Sequence, residues 1–212
     1  MRPLLFVLIT LLMFFLPNRL LTTEPVHEYL GCALLVLGGV HLWLERAYLR
    51  ALFRRRLPMT ALNTVNIIML LLLAVTLVSG ILISLYALPI VRLRGLTSIY
   101  VHAAHLSAGA LLFLIVGAHV GLHARMLWLA LLRRIPLHIP QTMPRILYVV
   151  GILLTAAGIH SFITTRIYDK ILFEHLSFGG LAETWTYQCD LLLMFLACAC
   201  LAIFYQSWRM RK

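Results

Sequence analysis

The sequence predicts an all-α integral membrane bundle of about six transmembrane helices, on three observations. Of 212 residues, 62% are hydrophobic and only 12% charged, well outside the range of a soluble domain. The apolar residues gather in six runs, roughly 3–17, 27–49, 61–86, 100–130, 145–164 and 186–208. Crossing a hydrocarbon core of about 30 Å takes roughly 17–25 helical residues, the scale of these runs. The basic residues behind the net charge of +11 sit in short connections rather than along one solvated face. That placement points to membrane orientation and away from nucleic acid.

The first run is short, with Arg2 before it and Pro17 after it, the layout of a secretory leader. Asn18, Arg19 and Leu20 follow instead of a small-x-small cleavage site, so it reads as a retained anchor helix. With a cytoplasmic N-terminus, six crossings place Arg46, Arg50, Arg54, Arg55, Arg56, Arg125, Arg133, Arg134 and Arg145 inside, together with the basic residues of both termini. Arg19, Arg92, Arg94, Arg166 and Lys170 fall outside, while the acids lean the other way, with only Glu45 inside. This asymmetry predicts a multi-pass protein with both termini cytoplasmic. The inner connections RALFRRRLPMT and LRRIPLHIPQTMP are short, basic and proline-broken, as links between helices should be. The outer stretch 161–184 interleaves Ile163, Ile167, Ile171, Leu172 and Phe178 with charges, and reads as a short helix on the membrane surface or as a plain loop. Its acids, with Phe173, Phe178 and Trp185, make a plausible docking surface. Cys32, Cys189, Cys198 and Cys200 form no C-x-x-C-H or zinc-type pattern and read as core or interface residues. The whole chain, 1–212, is one integral domain.

The second and fourth runs share a pattern. HEYLGCALLVLGGVH at 27–41 and HLSAGALLFLIVGAH at 105–119 both obey H-x-x-x-G-x-x-x-x-x-x-x-G-x-H, through His27, Gly31, Gly39 and His41, and His105, Gly109, Gly117 and His119. Fourteen residues at about 100° each fall some 40° short of four turns, so both histidines of a run share a face about 21 Å apart along the axis. With one run between them, the two helices are parallel, which puts His27 level with His105 and His41 level with His119.

Two facing imidazoles at each of two depths suit heme, because neutral imidazoles can fill both axial positions of the iron while the macrocycle buries in the bundle. The expectation is therefore two non-covalent hemes b between the second and fourth helices, with residues 1–130 as the heme-binding part and 131–212 adding two helices and a long outer loop. The four glycines would let backbone approach the porphyrin faces. Ionisable groups inside membrane helices are rare and usually functional, which favours this over four independent core histidines. His102 pairing with His119 would point the rings apart, whereas His123, eighteen residues after His105, stays in phase and is an alternative ligand or a heme-edge partner. His138, His160 and His175 read as structural or surface residues. Arg92 and Arg94 at the outer boundary, and Arg46 and Arg125 at the inner one, are candidates for binding heme propionates, against the plainer role of anchoring helix ends.

HEYLG with a histidine fourteen residues on, LVSGILIS at 77–84 and HLSAGALLFLIVGAHVGLH at 105–123 together resemble a domain-of-unknown-function family of bacterial b-type cytochromes found with extracytosolic flavinylated electron-transfer proteins. The likeness covers roughly residues 1–130, and HVGLH is its most specific element. It implies a diheme protein of the bacterial cytoplasmic membrane that passes electrons across the bilayer to or from a flavoprotein partner. It also implies His27, His41, His105 and His119 as iron ligands.

Bis-imidazole ligation leaves iron no open position, so electron transfer is expected rather than chemistry at the metal. Flow from the inner face to an outer flavoprotein or other redox protein is the first expectation. A quinone-reactive subunit, using Asn63, Asn66 and His123 as polar groups beside a heme, is the alternative. A cofactor-free transporter whose histidines relay protons is a third.

Overall fold

A computed structural model describes residues 2–54, 56–132, 143–173 and 184–209. Arg55, Arg133, Arg134, His138, Glu174, His175, Phe178 and Glu183, which the charge pattern and the outer segment drew on, lie outside the described residues. The architecture is all-α. Among the described residues, five helices are long and apolar enough to cross a membrane, where the apolar runs gave about six. The first run forms α1 (Arg2–Phe15), whose 14 residues reach only about 21 Å. It ends where Pro17 and the short α2 (Arg19–Thr22) turn the chain.

α1 is fastened at its C-terminal end rather than by length. Buried Asn18 accepts from the Leu21 amide through Oδ1 at 3.3 Å and donates through Nδ2 to Gln188 Oε1 at 3.0 Å. Gln188 in turn donates to the Phe14 carbonyl at 3.1 Å. Orphan groups at a helix end thus find partners on a helix far along the chain.

The second run divides. α3 (Glu24–Leu44) starts with Pro25 in its first turn, a position that needs no N–H, and stops at Glu45. There Arg46 Nη1 donates to the Trp43 carbonyl, and the chain turns into amphipathic α4 (Arg46–Phe53). Thr60 caps α5 (Ala61–Ile83) by accepting from the Asn63 amide. α6 (Leu96–Leu132) is the axis of the bundle, packed between α5 and the last helix, with Leu112 and Phe113 each 1% exposed.

α7 (Met143–Thr164) and α9 (Thr184–Arg209) complete the far side. Between them, α8 (Ile167–Ile171) forms part of the outer segment, of which 174–183 lie outside the described residues. It is a helix, but Ile167 is 2% exposed and Ser107 of α6 donates to the Ile171 carbonyl at 2.7 Å. α8 is thus docked against α6.

α9 approaches both α6 and α7 closely because glycines remove side chains from its contacts with them. A Cβ on Gly158 would overlap Leu193 and Ala197, and one on Gly121 would overlap Ala199 backbone. Small residues at helix interfaces are the usual means of packing where lipid removes the hydrophobic drive between helices. α3 is different. It packs on α1, touches α5 lightly and stands off α6. Many of its side chains, including Val36 and Trp43, face outward, as do Leu71 and Val78 of α5.

Candidate cofactor-binding site

The gap between α3 and α6 is a cavity of about 260 Å³, just below the usual range for small-molecule sites. His27 and His105 face each other across it, with ring centroids 6.1 Å apart and planes at 81°. We call this the upper level.

Each ring is oriented by its Nδ1. His27 Nδ1 donates to the Leu16 carbonyl at 3.1 Å, one of the carbonyls left without a partner where α1 ends. His105 Nδ1 donates to the Thr76 carbonyl at 2.9 Å and lies 3.3 Å from Ser79 Oγ. Gly80 makes that approach possible, since a Cβ there would sit 3.0 Å from His105 Cε1. With Nδ1 protonated and bonded to a carbonyl, the lone pair of each imidazole is on Nε2, the arrangement metal-binding histidines use.

Glu28, beside His27, sets the position of α3. Its carboxylate accepts from Ser84 Oγ and from the amides of Leu85, Tyr86 and Ala87, all at 2.8–2.9 Å. A single side chain thereby ties the start of α3 to the segment leaving α5 with charge-assisted bonds, the stronger kind.

The lower level holds His119 by a one-way hydrogen-bond chain. His119 Nδ1 donates to Asn66 Oδ1 at 2.8 Å, and Asn66 Nδ2 donates to the Tyr48 hydroxyl at 2.7 Å. Tyr48 donates to Asn63 Oδ1, and Asn63 Nδ2 donates to the Pro58 carbonyl, both at 2.7 Å. Every donor has one acceptor, so the chain again leaves Nε2 of His119 as the acceptor nitrogen. His41, in the last turn of α3, lies within electrostatic range of His119. The His123 ring packs on His119 at 4.7 Å. The upper cavity does not extend to His41 or His119.

The glycines separate into two kinds. Gly31 and Gly109 line the cavity, where a Cβ would meet nothing within 4 Å at Gly31 and only Thr76 Cγ2 at 3.8 Å at Gly109. Gly117 corrects the expectation that all four face a ligand. A Cβ on Gly117 would sit 2.7 Å from the Phe195 carbonyl oxygen, so this residue serves packing on α9. Gly39, near His41 on the lower level, is exposed, and a Cβ there would meet nothing within 4 Å. Both precede a histidine by two residues, and positions i and i+2 of a helix do not share a face.

The arginines also differ from expectation. Arg92 and Arg94 are exposed and do not line the cavity. Arg46 is taken up by the Trp43 carbonyl and lies 4.9 Å over the Trp43 ring, and Arg125 is exposed on α6. The cations that line the upper cavity are Arg19, paired with Glu24, and Lys170 of α8. His102 lies on the same lining, one turn from His105.

Among the described residues, no three His, Cys, Asp or Glu side chains come together as a cage for a bare metal ion. The chain matches no protein-family model, no curated protein and no solved structure.

Proposed function

We propose that this chain is a bis-histidine diheme cytochrome b that carries electrons across the cytoplasmic membrane, exchanging them with an extracytosolic flavoprotein or another redox protein. One observation carries the reading, the His27–His105 pair across the upper cavity. Two axial imidazoles bonded at about 2 Å to one metal have ring centres about 6 Å apart, and 6.1 Å separates these. Both Nδ1 atoms are held by carbonyls, so Nε2 of each ring is the free ligand. Two protein ligands saturate an iron only when a macrocycle supplies the other four, which favours heme over a bare ion. When bound, heme supplies a one-electron iron couple.

In this reading His27 and His105 hold the upper heme, while Gly31 and Gly109 give its faces room. His41 and His119 hold the lower one, with His123 packed beside it. Asn63 and Asn66 are engaged in orienting His119, so the quinone-reactive alternative loses the polar pair it relied on.

Protein purified in mild detergent is expected to carry about two hemes per chain, extractable without cleavage of a thioether and giving the sharp reduced band of a low-spin b heme. Colourless protein after expression with ample heme supply would sink the reading. Tyr48→Phe gives a finer test. Without the hydroxyl, Asn66 loses its anchor and the His119 Nδ1–H bond weakens, which makes the imidazole a poorer donor to ferric iron. One of two midpoint potentials should rise, by on the order of 40 mV, with the other unchanged. Equal shifts in both, or none, would remove Tyr48 from the site.

A further inference from the structure

We propose that Lys170 and Tyr187 form a carboxylate subsite at the mouth of the upper cavity, so that a porphyrin enters with its propionate edge toward them. This rests on the heme reading above and adds the orientation of the ligand. Lys170 lies on α8, just beyond the end of α7, and Tyr187 in the first turn of α9; both line the cavity that holds His27 and His105. Lys170 Nζ donates to the Tyr187 hydroxyl at 3.0 Å and sits 5.1 Å from the centre of its ring. An ammonium has three N–H donors, and a hydroxyl that accepts one of them keeps its own proton to give. The pair thus presents adjacent donors of the kind a carboxylate takes.

The two acids on the cavity lining are otherwise engaged. Glu24 pairs with Arg19, and Glu28 is bound to four donors on the segment leaving α5. Neither serves Lys170. Beyond the pair the lining is apolar and buried, with Leu34 3% and Leu112 and Phe113 each 1% exposed, and Tyr187 packs against this core. A lining that joins a few polar donors to a buried apolar wall matches a flat ligand with anionic groups on one edge only. Arg92 and Arg94, the sequence-based candidates for this role, lie off the lining.

The test uses the heme-free full chain, titrated with hemin and with hemin dimethyl ester, which differ only in the charge of that edge. The upper-site component is the absorbance change that His105→Ala abolishes. Lys170→Met, which keeps the stem, should weaken hemin binding at the upper site about tenfold while leaving the diester unchanged, and Lys170→Arg should restore the preference for hemin. Unchanged hemin affinity in Lys170→Met, or equal loss of both porphyrins, would overturn the subsite while leaving the heme reading intact. Wild-type chain showing no His105-dependent bis-imidazole spectrum with hemin would overturn both.

Discussion

Replacing His105 with alanine is expected to remove about half of the heme, leaving the lower site loaded. In the diheme reading the effect is large because His105 would hold the iron directly, with its ring already oriented by the Thr76 carbonyl. His102 lies one turn away on the same cavity lining but is exposed, whereas His105 is drawn inward by the Thr76 carbonyl and by the space at Gly80. His102→Ala should therefore retain full heme. The alanine at 105 leaves a void of imidazole size beside Gly80, with the Thr76 carbonyl still in place to receive an N–H. Free imidazole added at millimolar concentration should then restore the low-spin spectrum at that site. The measurement is pyridine hemochrome content alongside the reduced absorbance spectrum. Full heme retention in His105→Ala would show that His105 is not a ligand.

The largest stability effect is expected at a helix-packing glycine, in Gly121→Ala. A Cβ there would come within 2.7 Å of the Ala199 Cα and 2.8 Å of its carbonyl carbon. Backbone cannot rotate aside as a side chain can, so α9 as a whole must shift, breaking its fit to α6 and α7. Overpacking of this kind should cost about 2–3 kcal/mol, lowering the unfolding midpoint in detergent by several degrees. Gly39→Ala is the matched control. Its Cβ would enter open space, and alanine favours the helix by about 1 kcal/mol over glycine, so this variant should be neutral or slightly more stable. Equal destabilisation of the two variants would contradict the close α6–α9 packing.

The helices were legible because bilayer thickness fixes how long an apolar run must be, and runs near 61–86, 145–164 and 186–208 match α5, α7 and α9 within a few residues. Where local chemistry overrides hydropathy, the boundaries moved. Glu45 and the Arg46–Trp43 bond end α3 within an apolar run, and Pro17 cuts α1 below a full crossing. The spacing of fourteen placed His27 level with His105 because helix pitch converts directly into depth. What the spacing could not give is the group behind each ring. Thr76 and Leu16 contribute backbone carbonyls, which leave no mark in a side-chain pattern, and Gly80 is one glycine among many until its neighbour is known. Gly117 shows the opposite limit. A repeated motif mixes residues from different faces, and its angular position relative to the histidines already sets it apart. Lys170 and Tyr187 come from two helices distant from the repeat, so only tertiary structure brings them to the cavity.

The way α3 is attached has a consequence for loading. Its start is tied by Glu28 and His27, and the α4 segment beyond its end is tied by Tyr48, while its middle stands clear of α6. Like a bowstring, the helix takes its spacing chiefly from its anchors, with Leu34 as its buried contact midway. The slot is thus set when the polypeptide folds, and a flat guest need not meet the entropic cost of arranging its own walls.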